Sequence, residues 1–138
     1  MDNLNRPIFG LNRAPFLVHS TMNKYPPTLN VKFFCTEAGN EPVREWLTNL
    51  PRDDRKAVGT DIKTVQFGWP IGMPVVRKME PELWEVRVDL KERIARVLFT
   101  VEASSMVLLH GFIKKSEKTP ASDLETARQR KAALKRNK

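Results

Sequence analysis

Residues 83–114, LWEVRVDLKERIARVLFTVEASSMVLLHGFIK, decide the fold, because three strand patterns follow one another with only short polar connections between them. In residues 83–90 every second side chain is apolar, and this period of two predicts a strand with one buried face. Residues 94–101 are apolar on both faces, with Arg96 as the one charged exception, which predicts a central strand. Residues 106–114 supply the next strand, and the short connections favour antiparallel pairing.

Upstream of this stretch, the sequence predicts one short strand and two helices. Residues 31–35 have a strand pattern, and a helix begins at Pro42, since proline suits the first turn of a helix. Its apolar face is formed by residues spaced i, i+3, i+4 and i+7, namely Val43, Trp46, Leu47 and Leu50. Pro51 separates this helix from a second one over residues 52–67, and residues 75–79 are a further strand candidate after a loop rich in Gly and Pro.

The chain ends in a predicted helix that begins near residue 120. Thr119 followed by Pro120 fits an N-cap with proline in the first helical position. Ser122 with Glu125 fits a capping box three residues later. The two possibilities differ in register, so the first residue of the helix stays open.

The order of these elements, β-α-α-β-β-β-α, predicts one α+β domain over residues 31–138. We expect a mainly antiparallel sheet of about four strands, with two N-terminal helices and a C-terminal helix on one face. Residues 1–30 show neither helical nor strand periodicity, and Pro26-Pro27 favours an extended backbone. We therefore expect these residues to form a flexible N-terminal extension.

The composition favours a cytoplasmic protein with a polyanionic partner. Cys35 is the single cysteine, so no internal disulfide can form, and we expect a reducing setting. No apolar run is long enough to span a membrane, and the pattern of a signal peptide is missing, so neither feature is expected. The net charge of +8 favours binding to a polyanion through attraction and counterion release.

The positive charge is concentrated near the C-terminus. Residues 110–138 contain nine Lys or Arg and three Asp or Glu, a net charge of +6. Composition leaves three explanations open: a solvated helix, a nucleic-acid-binding face, or a face for an acidic protein partner.

Motifs for metal or nucleophilic chemistry are missing from the sequence. The two histidines, His19 and His110, and the single cysteine do not form a cluster with the spacing of a zinc site. There is no P-loop, no dinucleotide-binding glycine motif and no serine in a nucleophile elbow. We therefore expect no metal and no organic cofactor.

Two arginines stand in the middle of predicted strands, flanked by apolar residues. A guanidinium at such a position is costly unless it is paired or serves a function, so Arg87 and Arg96 are candidates for either role. A structural salt bridge to Glu85 or Asp89 is one explanation. The other is a clamp on phosphate oxygens, for which arginine offers a permanent charge and a planar fork of donors.

His110 shares strand parity with Phe112 and Lys114 in the last predicted strand. A lone strand histidine often has a structural role, and that possibility stays open. The combination of imidazole, aromatic ring and ammonium nevertheless suits RNA, because a base can stack, a phosphate can pair, and one group titrates near neutral pH. Lys115 and Lys118 extend this basic edge.

Cleavage of RNA without a metal requires the same kinds of group. The ribose 2′-OH attacks the adjacent phosphorus, a base takes its proton, an acid protonates the leaving 5′-oxygen, and cations stabilise the crowded phosphorane. The two arginines, the histidine and the lysines would supply these functions.

Residues 83–134 resemble the phage-derived HigB branch of the RelE/ParE superfamily of type II toxins. The resemblance rests on several motifs in series: LWEVR, RVLF, LLHGFIKK, and KTP before ETARQR. The motifs lie within residues 83–134, but the resemblance as a whole covers about residues 31–136. It implies a compact RelE-like fold. It also implies an endoribonuclease that cleaves mRNA in the ribosomal A site without metal or cofactor.

The resemblance further assigns site residues and partners. It implies catalytic roles for Arg87, Arg96, His110 and Lys114, and RNA contacts for Phe112 and Lys115. Glu85 and Arg93 are weaker candidates, Arg93 for an RNA contact. Some relatives have a tyrosine near the position of Phe112. Phenylalanine has no hydroxyl group to act as acid or base, so proton transfer would fall to His110 or a lysine. The resemblance implies a HigA-like helix-turn-helix antitoxin as partner. The toxin would contact operator DNA only through this antitoxin.

Two questions stay open within this resemblance. ParE-like members of the superfamily inhibit DNA gyrase and are not nucleases, which gives a rival function. The basic end of the C-terminal helix, including Arg130 and Lys131, is expected to bind ribosomal RNA, although contact with the antitoxin is the alternative.

Overall fold

The computed structural model describes residues 27–114 and 118–136. Its elements are β1 Asn30–Phe33, α1 Pro42–Thr48, α2 Arg52–Gly68, β2 Val76–Glu80, β3 Leu83–Leu90, β4 Arg93–Glu102, β5 Ser105–Lys114 and α3 Ala121–Arg136. The predicted helices and strands are all present, with ends that differ by one or two residues. Most of the expected N-terminal extension, residues 1–26, lies outside the described residues.

The five strands form one mixed sheet in the order β1-β5-β4-β3-β2. Strands β2 to β5 pair antiparallel with their sequence neighbours, whereas β1 pairs parallel to β5 at the edge. The two-residue connections between the antiparallel strands contain Glu82, Glu92 and Ala103 with positive φ, as tight hairpin turns require. The expectation of about four strands was therefore too low.

The helices cover both faces of the sheet. Side chains alternate along a strand, so the neighbours Val97 and Leu98 point to opposite faces. Val97 belongs to the larger core beneath α1 and α2, whereas Leu98 belongs to a smaller cluster that includes Ala127 of α3. The prediction that all helices lie on one face was wrong, because β4 and β5 are apolar on both sides and each side needs a cover.

A β-bulge in β5 determines which side chains face α3. Phe99 of β4 pairs with Leu108, but the preceding residue, Leu98, pairs with His110, so Leu109 is an extra residue. Leu108 consequently lies in the larger core, while His110 faces α3 with Leu98. Regular alternation would have placed His110 on the same face as Leu108.

Two local predictions were wrong. Cys35 is exposed and follows the end of β1, whereas the sequence placed it inside the strand at residues 31–35. Thr119 does not cap α3, because its hydroxyl donates to the buried carboxylate of Glu85. The helix begins at Ala121, and the amide of Leu124 donates to the carbonyl of Pro120, so the helix starts one residue later than a Thr119 cap would place it.

Aromatic side chains seal the larger core at its margins. Trp69, from the loop after α2, meets Trp84 edge-on at a centroid distance of 5.0 Å and also contacts Phe99. Trp46 of α1 lies on Gly111 of β5, so closely that only glycine leaves room for its ring. Within the described ranges, no helix combines the length and the apolar character needed to cross a membrane.

We predict that Gly111→Ala lowers the free energy of unfolding by about 1–3 kcal/mol, because the added carbon would lie 2.4 Å from the Trp46 ring. Urea unfolding followed by tryptophan fluorescence measures this change. Gly72→Ala is the control, since nothing lies within 4 Å of the carbon it adds, and it should shift stability by no more than about 0.5 kcal/mol. Equal midpoints for the two variants would contradict the packing described.

Candidate functional site

Three neighbouring strands form two rows of side chains on the sheet face that α3 partly covers. One row consists of Glu85, Leu98 and His110. The next row consists of Arg87, Arg96 and Phe112. Five residues that the sequence singled out, Glu85, Arg87, Arg96, His110 and Phe112, are therefore adjacent on this face.

A buried carboxylate holds the two arginines. Glu85 is fully buried, and its Oε1 lies 3.5 Å from Nη1 of Arg87 and 3.5 Å from Nε of Arg96. Its other oxygen accepts a hydrogen bond from the Thr119 hydroxyl, which comes from the segment before α3. Both arginines therefore form the salt bridge to Glu85 that the sequence suggested as one explanation.

The two arginines differ in their access to solvent. The Arg96 side chain is 1% exposed, and its Nη1 also donates to the carbonyl of Ala95 at 3.0 Å. The Arg87 side chain is 17% exposed. Arg87 is therefore the more accessible of the two arginines, and Glu85 contacts one side of its guanidinium. Arg96 is part of the packed interior.

His110 contacts α3 through both ring nitrogens. Nε2 lies 2.6 Å from Oδ1 of Asp123, and Nδ1 lies 3.4 Å from Nη1 of Arg130. The same Arg130 nitrogen donates to the carbonyl of Leu109, the extra residue of the bulge, at 2.8 Å. Burial lowers the pKa of the Arg130 guanidinium from its ordinary value, but arginine remains charged at physiological pH.

Phe112 and Lys114 continue this face beyond His110. The rings of Phe112 and His110 stack with a centroid distance of 5.6 Å and an interplanar angle of 25°. Nζ of Lys114 lies 5.9 Å from the centre of the Phe112 ring. The Phe112 side chain is only 8% exposed and belongs to the smaller core cluster, so little of its ring is available to a nucleotide base.

The other candidate residues lie around this face or away from it. Arg93 forms an ion pair with Asp54 at the start of α2, on the opposite side of the sheet. Lys118 is exposed just before α3. Lys131 donates to the carbonyl of Pro81 at 3.0 Å. Lys115 lies outside the described residues.

Basic side chains of α3 hold the turn between β2 and β3. Arg128 pairs with Glu80 at 2.8 Å, and its hydrogen bond lowers the pKa of that carboxyl group. Lys135 pairs with Glu82, and this contact lowers the pKa of Glu82 in the same way. Part of the positive charge that the composition places on this helix is therefore balanced within the fold.

Sequence reasoning missed two residues of the site, Thr119 and Asp123. In the sequence both fit an ordinary local role, Thr119 that of a helix cap and Asp123 that of a favourable charge in a first helical turn, so the pattern gave no reason to connect them with the sheet. Their partners, Glu85 and His110, are 34 and 13 residues distant in the chain. Among the residues that the structure describes, no group of three or more His, Cys, Asp or Glu could hold a metal ion.

Residues 45–132 match the family model described as "Phage derived protein Gp49-like (DUF891)". The match covers more than half of the chain and includes both rows of the site. No curated protein matches the chain.

We predict that Glu85→Gln lowers the free energy of unfolding by about 3 kcal/mol or more, because it removes the charge of a fully buried carboxylate and leaves the buried guanidinium of Arg96 without it. Urea unfolding of the purified variant gives the value. Glu125→Gln is the matched control, since Glu125 is exposed and pairs with Arg128 at 3.4 Å, and it should cost no more than about 0.5 kcal/mol. A Glu85→Gln variant as stable as the control would show that the arginines do not need this carboxylate.

Proposed function

The chain belongs to the Gp49-like family of phage-derived proteins, a type II toxin family related to the RelE-like toxins, and we propose that it is a ribosome-dependent mRNA endoribonuclease of the HigB type. The observation that carries this proposal is the row of Arg87, Arg96 and Phe112 beside His110 on one sheet face. This row places the partly exposed guanidinium of Arg87 beside an imidazole, and cleavage of RNA without a metal requires positive charge and proton-transfer groups of this kind.

The proposed reaction uses the RNA's own 2′-OH as nucleophile. The 2′-oxygen forms a bond to phosphorus as the bond from phosphorus to the 5′-oxygen breaks, leaving a 2′,3′-cyclic phosphate and a 5′-hydroxyl end. The proton leaves the 2′-oxygen for a base, and the 5′-oxygen gains a proton. Arg87 stabilises the negative charge that develops on the phosphorane.

The ribosome supplies what this small site lacks. In-line attack needs the 2′-oxygen, the phosphorus and the 5′-oxygen to be aligned, and a flexible single strand rarely has this geometry. In our proposal, mRNA held in the ribosomal A site is presented already bent, so that the toxin adds charge. The setting is the bacterial cytoplasm, where the ribosome and the mRNA are the partners.

Family membership implies an antitoxin partner. We propose that this partner is a HigA-like helix-turn-helix protein, and that the toxin meets operator DNA only through it. Inhibition of DNA gyrase, as in ParE-like relatives, is the rival function. We favour the nuclease because a gyrase inhibitor needs no imidazole or ammonium group for proton transfer, whereas this face of the sheet carries His110 and Lys114.

We predict that Arg87→Ala slows ribosome-dependent cleavage about a hundredfold, the effect of removing one fixed donor to a developing oxyanion. The rate is measured with purified ribosomes and a short mRNA under single-turnover conditions. Arg52→Ala is the charge-matched control, because Arg52 is exposed at the start of α2 on the opposite side of the sheet. A folded Arg87→Ala variant that cleaves as fast as the control would assign Arg87 a structural role alone.

We also predict that the purified protein cleaves mRNA on ribosomes and leaves the same RNA intact when ribosomes are absent. A chelator should not reduce cleavage beyond its effect on the ribosomes, because the proposed stabilising charges are arginine and lysine side chains. A supercoiling reaction with DNA gyrase is run in parallel. Inhibition of gyrase without mRNA cleavage would replace our proposal with the rival, and cleavage of naked RNA that depends on magnesium would overturn it.

A further inference from the structure

Arg77 extends the sheet face that α3 partly covers (the site face) to the edge of the sheet. It pairs with Glu85 across β2 and β3, so the row that contains Glu85 continues onto β2. Its neighbour Val76 lies in the larger core on the other face, as alternation along a strand requires. Arg77 therefore shares the site face with Arg87, although the sequence pattern did not single it out.

The charge of Arg77 is open to an anion from solvent. Arg77 is exposed, and in the described part of the chain its guanidinium has neither an ion pair nor a side-chain hydrogen bond. Glu85, directly across from it, is fully buried. The Oε1 atom of that carboxylate contacts Arg87 and Arg96, and Oε2 accepts from the Thr119 hydroxyl. The nearest acid on the next strand is thus already engaged by other donors.

Two further cations lie close to Arg77. Arg87 follows Glu85 by two residues, and such a diagonal position on paired strands places its Cβ about 7–8 Å from that of Arg77. The Arg87 side chain is 17% exposed. Lys118 is exposed and precedes Thr119, whose hydroxyl reaches Glu85. The segment before α3 therefore brings a third cation to the same part of the site face.

The acids near these cations balance them only in part. Glu80, at the end of β2, is paired with Arg128. Asp89 is exposed on the site face, two residues beyond Arg87. Among the described residues around Glu85, four basic ones stand against two acidic ones, namely Arg77, Arg87, Arg96 and Lys118 against Glu85 and Asp89. An excess of positive charge on one face attracts a polyanion.

The backbone of single-stranded RNA fits this arrangement. It carries one negative charge per nucleotide, so a strand with one phosphate at Arg87 presents the next phosphate close by. Arg77 is the exposed arginine diagonal to Arg87 on the same face. A guanidinium also offers a planar fork of donors that matches two oxygens of a phosphate.

We propose that Arg77 binds the phosphate next to the one that is cleaved, so that the RNA strand runs from Arg87 towards the β2 edge of the sheet. This inference rests on the proposed nuclease function. It gives Arg77 a role in binding and leaves the reacting phosphate to Arg87. Arg77 contacts no base in this arrangement, and phosphate contacts carry no sequence information.

The neighbouring Lys78 is the matched control. It is basic and exposed on the same edge strand, but it pairs with Trp84 and therefore lies on the face of the larger core. A charge on an edge strand also serves to prevent pairing with another chain. That role alone would make the Arg77→Ala and Lys78→Ala variants equivalent, whereas a phosphate contact on the site face makes them differ.

Binding of a short single-stranded RNA to the free, full-length protein tests the contact without any cleavage. Fluorescence anisotropy measures the affinity between about 50 and 200 mM salt. We expect Arg77→Ala to weaken binding about fivefold near 0.1 M salt and to reduce the slope of log affinity against log salt by about 0.7, the value of one phosphate contact on a single strand. Lys78→Ala should keep the wild-type slope. Equal slopes or equal losses for the two variants would overturn the proposal.

An oligo-glutamate peptide of the same length serves as the second probe, because an acidic protein segment is the alternative ligand. We expect the peptide to bind more weakly than the RNA and to lose equally little affinity in Arg77→Ala and Lys78→Ala. A peptide that binds as tightly as the RNA, with a loss confined to Arg77→Ala, would overturn the proposal and assign this surface to an acidic protein.

Cleavage on ribosomes separates the role of Arg77 from that of Arg87. We expect Arg77→Ala to raise the concentration of mRNA-programmed ribosomes needed for half the maximal rate about fivefold, with a saturated rate within about twofold of wild type. Arg77→Lys should recover most of this loss, because it keeps a positive charge. The loss should be the same for mRNAs with different A-site codons.

A lower saturated rate with unchanged half-saturation in Arg77→Ala would place Arg77 at the reacting phosphate and overturn the proposal. A loss that depends on the codon would overturn it as well, because it would assign Arg77 a contact with a base. Absence of cleavage by the wild-type protein would remove the proposed nuclease function, whereas the binding of free RNA would still decide whether Arg77 contacts phosphate.

Discussion

The burial of one carboxylate between two arginines is the constraint on which the rest of this site depends. Glu85 is fully buried in β3 and contacts Arg87, Arg96 and the hydroxyl of Thr119. Two guanidinium groups in adjacent strands would repel each other and lack solvation without this carboxylate. Because Thr119 reaches Glu85 from the segment before α3, the same charge also fixes where the C-terminal helix begins. Arg96 is buried in this arrangement, whereas Arg87 is partly exposed. Arg87 is therefore the arginine that our proposal places at the phosphate.

The bulge at Leu109 is the second determinant of the site. It shifts the alternation of side chains in β5, so that the residues after it point to the opposite face from the one that regular alternation would give. Before the bulge, Leu108 fills the larger core, and after it His110 and Phe112 lie beside the arginines. The bulge leaves the Leu109 carbonyl available, and Arg130 of α3 donates to it. The C-terminal helix therefore contributes ordered contacts to the site as well as positive charge. The ion pairs of Arg128 with Glu80 and of Lys135 with Glu82 hold α3 in this position.

The order of helices and strands could be predicted from the sequence because hydrophobic periodicity reflects burial directly. Residues 83–90 alternate, and the structure confirms a strand with the same bounds. The prediction of a single buried face was wrong, because Leu83 and Glu85 on the other face are fully buried as well. The bulge could not be predicted, since MVLLHGFIK is apolar on both faces and fits either alternation. The same ambiguity concealed the helix on the second face. Arg87 and Arg96 were recognisable as charges within apolar strands, whereas Thr119 and Asp123 have local roles that explain them without the sheet.

The central claim is that this face of the sheet cleaves RNA by activating the RNA's own 2′-OH, with arginine charge at the phosphate. The most direct measurement is the chemistry of the ends that the protein leaves on ribosome-bound mRNA, determined by mass spectrometry of the two fragments. Our account predicts a 2′,3′-cyclic phosphate on the upstream fragment and a 5′-hydroxyl on the downstream one. Fragments ending in a 3′-hydroxyl and a 5′-phosphate would contradict it, because those ends require water to attack and the 3′-oxygen to leave.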